Sequence, residues 1–418
     1  MSYKGKKLLI LGAYRTEMEI VEAARRMGIY TIVTDNHIDW KDAPAKKVAD
    51  EAWDISWSNI VELEKKCIDA RVDGVIAGFS ERRVNNALLL SQKLQKPFYA
   101  EGANTQKIFD KIKFKEACMK AGVAVPRQFS TDEEVIFPVI VKPSDNGGSK
   151  GISICYNSDE LRIGVGKALS SSDSKNVLIE EYLTCDEIMV YFTVHDGEAT
   201  LSAMCDRYMH SFDPNITQLP IGYYYPSKYL NIFKQYNLDR YRALIRELGI
   251  RDGLIAFQAF VKDKDVIPFD PTFRLDGTMA YHMIEKKNGI NVLKCLIEKS
   301  IIGTMGDKEQ IEEKERPDFV TPSFELPILL GKGVISEVFG LESIKCMEDV
   351  VHVYISHAVG DVMEKNADFS QIFCRIHICA DSERALIQDI KQVFDVIDVL
   401  DDKGNSMVIN KNFFVIGE

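Results

Sequence analysis

Short apolar runs and stretches of helical spacing alternate along the first hundred residues. Residues 7–12 (KLLILG) form an apolar run ending in glycine, Met18, Val21, Ala24 and Met27 recur at helical spacing, and Tyr30–Thr34 resumes a β-branched strand that ends at Asp35. This pattern predicts a strand–helix–strand unit. A second apolar stretch at 72–79, followed by a helix over 80–94, continues the alternation and predicts a small parallel sheet wound with helices over residues 1–100.

Pro97, Gly102 and the polar residues around Asn104 interrupt the pattern, and a helix over 111–121 then ends at Gly122 with Pro126 beyond it. From there the period shortens to two. Runs at 137–141, 152–155, 177–183, 187–194 and 199–209 predict an antiparallel sheet, a helical pattern returns at 234–248, and strands follow at 254–262 and 265–269. After residue 302 a charged break (GDKEQIEEKERPD) precedes strands around 324–338 and 351–356, the run IFCRIHI, a helix at 382–394 and a hairpin at Asp402-Lys403-Gly404. The expectation is a multidomain α/β and α+β chain: a wound parallel-sheet domain at 1–100, a two-lobed α+β domain at 101–302 and a small α/β cap at 303–418.

Composition narrows the function. The 418 residues carry 52 Lys and Arg against 63 Asp and Glu, a net charge of −11 that works against a general nucleic-acid or anionic-membrane surface and confines any polyanion to a local basic pocket. The basic N-terminus meets Arg15 and Glu17 with no small-residue cleavage site, and no stretch reaches the roughly 20 apolar residues that span a bilayer, so a cytoplasmic address is expected. Nine scattered cysteines without a CxxC argue against disulfides and zinc fingers. Cys374, His377 and Cys379 fail as a metal set, because strand alternation puts 374 on the face opposite to 377 and 379.

The segment FPVIVKPSDNGGSKGIS at 137–153 carries the most chemistry. A strand delivers Lys142, and a loop with Gly147, Gly148 and Gly151 lets backbone N–H groups approach phosphate, with Lys150 adding charge and Ser144 and Ser149 adding hydroxyl donors. GxxxxGK[ST] is absent and a strand follows, so this is not a Walker A loop; a plain polar hairpin is the competing reading.

Together with three further segments, this loop resembles the ATP-grasp superfamily over about the first 300 residues. DKIKFKEACMKAGVAVP at 110–126 is similar to the lysine-bearing helix before the ATP-binding domain, which implies phosphate contact by Lys111. VLIEEYLTCDE at 177–187 resembles the adenine-binding strand exit, which implies base contact by Glu180, Glu181, Tyr182 and Leu183 and ribose contact by Glu187. GLIAFQAFVKDKDVIPFDPTFR at 253–274 resembles the paired strands that carry magnesium ligands, with Gln258, Asp270 and Thr272 in the ligand places and Arg274 against the transferred phosphoryl group. Asp and Thr depart from the family's E-x-N-x-R, which bears on metal number and affinity.

The resemblance implies a Rossmann-like N-terminal domain whose strand ends help bind substrate, through Gly12, Arg15, Asp35 and the Gly78-Phe79-Ser80-Glu81 turn. A dinucleotide site there is disfavoured, since LGAYRTEME lacks GxGxxG and pyrophosphate would meet side chains. Arg207 is a further candidate for a substrate carboxylate, against a cross-strand ion pair. The implied activity uses ATP and Mg2+ to convert a small carboxylic acid, an amino acid among the candidates, to an acyl phosphate that an amine attacks, with Lys142 and Arg274 as catalytic groups. Bicarbonate chemistry of the carbamoyl phosphate synthetase or carboxylase kind, and non-catalytic nucleotide binding, are the alternatives. The implied partners are small-molecule carboxylate and amine substrates and a second copy in a homodimer, with no nucleic acid and no membrane.

Overall fold

A computed structural model describes residues 3–130, 134–144, 151–212, 218–364 and 369–412. The first apolar run becomes strand Lys7–Leu11, paired in parallel with Tyr30–Thr34 and Gly74–Ile76, and Glu51–Trp53 completes a four-stranded parallel sheet. Leu8, Leu9, Ile10 and Leu11 are all fully buried, because a parallel sheet covered on both faces needs apolar residues at consecutive positions. Helix Arg15–Arg26 buries Ile20, Val21, Ala23 and Ala24 against it.

The α+β region divides as expected into two sheets. The smaller is antiparallel, in the order Gln128–Phe129, Val177–Glu181, Val139–Pro143, Ser153–Cys155, and its core of Phe129, Val139, Val141, Cys155 and Ile179 is closed by helix Ser158–Ser171. That helix is absent from the sequence reading, as its apolar positions are few and only Gly164 and Ala168 are buried.

The larger sheet has eight strands in the order Asp265–Thr272, Gly253–Lys262, Asp186–His195, Glu198–His210, Leu219–Tyr225, Ser323–Leu329, Ile372–Cys379, Val350–Ile355. Its last three strands come from the region expected to form a separate cap; they extend the same sheet through the pairing of Tyr223 with Glu325. Strand Leu219–Tyr225, which makes that connection, was not anticipated. The pattern at 234–248 resolves into two helices, Leu230–Tyr236 and Leu238–Glu247, packed through Phe233 and Tyr241 beneath Phe192 and Phe257. Among the described residues no helix is long and apolar enough to cross a membrane.

Candidate functional site

Helix Lys111–Lys120 begins at Asp110, whose carboxylate accepts from the N–H groups of Ile112 and Lys113 at 3.0 and 3.2 Å. The helical period places Lys115 one turn beyond Lys111 on the same face. Facing them, strand Val139–Pro143 alternates: Val139 and Val141 enter the core of the small sheet, while Lys142 points the other way.

Glu180 occupies the same face of the next strand and joins the two lysines. Its Oε2 lies 2.5 Å from Lys142 Nζ and its Oε1 2.9 Å from Lys115 Nζ. Burial raises the Glu180 pKa, but the two ammonium groups outweigh it and hold the carboxyl below its ordinary value. Lys111 Nζ donates to the Pro143 carbonyl at 3.3 Å. Lys111, Lys115, Lys142 and Glu180 line one small cavity with Pro268 and Phe269.

The rest of the expected nucleotide set divides. Gly147, Gly148, Ser149 and Lys150 lie outside the described residues. Gly151 has φ +77°, and a Cβ there would fall 2.6 Å from Ser171 Cβ, so this position requires glycine for both conformation and space. Ser144 Oγ is 3.1 Å from Ser174 Oγ, within the small lobe. Base reading by Glu180 meets an obstacle, since its backbone lies in the ladder between Gln128 and Ile140. The N–H groups of Glu181 and Tyr182 already donate to Arg127 O and Pro138 O, whereas Leu183 is a buried apolar side chain at the strand exit. Glu187 is held by Arg207 at 2.5 Å, so both readings of Arg207 had a basis and the cross-strand ion pair is the one observed. Burial raises the Glu187 pKa against that pairing.

On the paired strands, Gln258 stands directly opposite Asp270, with Gln258 Nε2 3.2 Å from Asp270 Oδ2. Thr272 is buried opposite Ala256, two residues further along. The Asp270 side chain is exposed. The surrounding protein and the Glu81 carboxylate raise its pKa, opposed by Arg274, Lys111 and Arg207. Arg274 lies 3.5 Å from Glu81 Oε1 and donates to Leu275 O. Tertiary folding thus gathers Glu81, Lys111, Arg207 and the Asp270–Arg274 stretch from four distant segments. The Asp270 carboxylate and the Gln258 amide oxygen, once turned toward it, are donors of the kind a hard divalent cation such as Mg2+ takes.

Of the N-terminal candidates, Gly12 has a local role: its φ is +98° and a Cβ would meet the Arg83 guanidinium at 2.7 Å. Arg83 in turn pairs with buried Glu17 at 3.0 Å. Asp35 is buried against His37.

The sequence reading missed a buried ion pair of the large sheet. Arg375, from the otherwise apolar IFCRIHI strand, is paired with buried Glu325. A single arginine in such a run was the available signal. Arg207 Nε, Arg274 Nε, Asp276 Oδ2 and Glu325 Oε2 are buried without a hydrogen-bond partner among the described residues. Cys374 and Cys379 enter different apolar clusters, as alternation required.

The architecture is that of the ATP-grasp enzymes, as the sequence resemblance implied. Residues 114–237 match the family model for the D-ala D-ala ligase C-terminus. The carbamoyl phosphate synthase large chain of Sulfurisphaera tokodaii is 25% identical over 226 residues, which cover 45% of this chain and 21% of that one, so the match spans about a fifth of the relative. An L-amino acid ligase from Bacillus licheniformis superposes with a TM-score of 0.78 at 17% identity, over 96% of this chain and 99% of that one. The biotin carboxylase domain of Hydrogenobacter thermophilus 2-oxoglutarate carboxylase, a dimer crystallised with MgADP, ADP and bicarbonate, gives 0.77 at 16% identity, over 97% and 92%.

Proposed function

We propose that this protein uses ATP to activate a small carboxylic acid as an acyl phosphate and joins it to an amine, releasing ADP and phosphate. The observation that carries this reading is the set of groups around Asp270: Gln258 donates to it, Arg274 pairs with Glu81, and the charges of Arg274, Glu81 and Lys111 all act on it. Phosphoryl transfer requires in-line positioning and neutralisation of charge on equatorial oxygens more than a covalent protein nucleophile.

In this reading Lys111 and Lys142 hold the nucleotide phosphates, Lys142 exchanging its Glu180 partner for a phosphate oxygen. Asp270 and Gln258 would hold Mg2+ with Glu81 beside them, and the bound ion would neutralise phosphate charge. Arg274, whose Nε has no partner among the described residues, offers its fork to the transferred phosphoryl group, and Arg207 offers its own Nε to the carboxylate of the acid. The apolar exit at Leu183 covers the base, and lobe closure would exclude water from the acyl phosphate. In keeping with the biotin carboxylase dimer, the protein would function as a homodimer.

The test is ADP release with MgATP and pooled amino acids, other small carboxylates or bicarbonate, with hydroxylamine as trap. A hydroxamate identifies the acid. Bicarbonate stimulation without an organic acid would support the carboxylase-type alternative, for which the carbamoyl phosphate synthase match speaks. ATP binding without stimulation by any pool would sink the ligase reading.

A further inference from the structure

A second constellation lies where three parts of the chain meet, away from the nucleotide lysines. Glu19 comes from helix Arg15–Arg26, His282 from helix Tyr281–Asn288 and His352 from strand Val350–Ile355. His282 Nε2 is 2.9 Å from Glu19 Oε2, and His352 Nε2 is 3.2 Å from Glu19 Oε1. The Tyr281 hydroxyl also approaches Glu19 Oε2, at 3.4 Å. The two imidazoles stack, with ring centres 3.7 Å apart and planes 18° from parallel.

Two features set this cluster apart from an ordinary ion pair. His352 Nε2, although 3.2 Å from the carboxylate, makes no well-aligned hydrogen bond among the described residues. In the tautomer that carries its proton on Nδ1, the His352 Nε2 lone pair is available to a cation. The second feature is His377, fully buried and cross-strand from His352, with ring centres 5.7 and 6.1 Å from those of His352 and His282. Its Nε2 lies 2.7 Å from the Thr278 carbonyl, which fixes a proton there and leaves Nδ1 as a lone pair without a partner among the described residues.

We propose that Glu19, His282 and His352 bind one divalent transition-metal ion of the class that imidazole selects, Zn2+ or Co2+ rather than Mg2+. Two imidazole nitrogens and a carboxylate oxygen make a three-ligand set with room for water or a substrate atom. The donor atoms of the triad lie within 4.8 Å of one another. At bonds of about 2.0–2.1 Å, an ion separates neighbouring donors by about 2.9 Å in an octahedron and about 3.3 Å in a tetrahedron, so binding requires the two stacked imidazoles to swing apart until both Nε2 lone pairs and a Glu19 oxygen converge on the ion. The side chains keep partial exposure, 13%, 17% and 22%, which leaves an entry path. The ion clasps the N-terminal helix to the large sheet beside Arg375 and Glu325, and it is independent of the proposed ATP chemistry.

The test uses the full chain, stripped with EDTA and desalted, then titrated with Co2+ or Zn2+ alone. One equivalent should bind, cobalt should show nitrogen- and oxygen-ligand visible bands without thiolate charge-transfer bands, and the melting temperature should rise; Mg2+ should do neither. His352→Ala and the milder His282→Asn and Glu19→Gln should each weaken binding at least tenfold while keeping the native far-UV circular dichroism. Thiolate bands, absence of binding, or equal affinity in those variants that fold would overturn the assignment and leave a metal-free hydrogen-bonded clasp.

Discussion

Lys142 Nζ lies 2.5 Å from Glu180 Oε2, and the opposite oxygen of the same carboxylate holds Lys115. One acid therefore keeps two ammonium groups within a single small cavity. Lys142 is thus held in place by Glu180, and in the proposed reading a phosphate must compete with Glu180 for it. Glu180→Gln removes the compensation and leaves two cations facing each other. Loss of one partner from a buried pair costs about 3 kcal/mol, and urea denaturation should show a drop of that order. Adding Lys115→Met should recover much of it, and no recovery would contradict the bridging role.

Asp270 should matter to turnover more than to folding. The Asp270→Ala variant should lose about a hundredfold or more of ADP release, the scale for removing a preorganised electrostatic group, while ATP still raises the melting temperature. Unchanged ADP release would remove Asp270 from the phosphoryl-transfer machinery.

Arg207 and Glu187 can be separated by a double substitution. Arg207→Met strands the Glu187 carboxylate in a site where burial already raises its pKa, so stability should fall. Glu187→Gln in the same chain should restore stability without restoring the KM for the acid, if Arg207 also receives the substrate. Restoration of both would make the pair purely structural.

Glu315 gives a pH signature. It is buried between Thr193 Oγ1 at 2.7 Å and Ser202 Oγ at 3.0 Å with no cation among its described partners, and burial pushes it from 4.5 to about 7. Between those values the native protein keeps a proton that the unfolded chain has released. Stability therefore falls as pH rises from about 4.5 to 7, by ~3 kcal/mol through this group if it shifts fully. Glu315→Gln should match the wild type near pH 4.5 and exceed it increasingly toward pH 7 in denaturant titrations. Parallel stability curves would show that Glu315 ionises normally.

Gly151 tests the turn that leads into strand Ser153–Cys155. Gly151→Ala carries two penalties: the left-handed backbone, about 1 kcal/mol, and the 2.6 Å approach to Ser171 Cβ. Ser171→Gly in the same chain should relieve only the second, so the double variant should melt between the single variant and the wild type. A fully stable Gly151→Ala variant would show that the turn accommodates a side chain.

Local pattern made much of this architecture legible. Residues 7–12, Met18 to Met27 and Tyr30–Thr34 alternate so plainly that strand, helix and strand follow, because period and burial there are set by neighbours in sequence. Gln258 and Asp270 were singled out only through the family resemblance; that they stand opposite each other depends on a bulge between Gln258 and Ala259 that local pattern does not announce. Helix Ser158–Ser171 was not legible, because it buries little beyond Gly164 and Ala168, and neither was strand Leu219–Tyr225, whose place depends on Glu325 a hundred residues away. The resemblance implied base contact by Glu180, and only the fold shows Lys115 and Lys142 converging on its carboxylate. His282 and His352 carry no motif at all. The sequence by itself determined which segments are strands and helices and which residue types can handle phosphate, since both depend on side-chain chemistry and spacing of a few positions. Only tertiary structure decided which charges meet, because Glu19, His282 and His352, like Glu81, Asp270 and Arg274, come together only when burial of separate apolar faces stacks three sheets' worth of chain together.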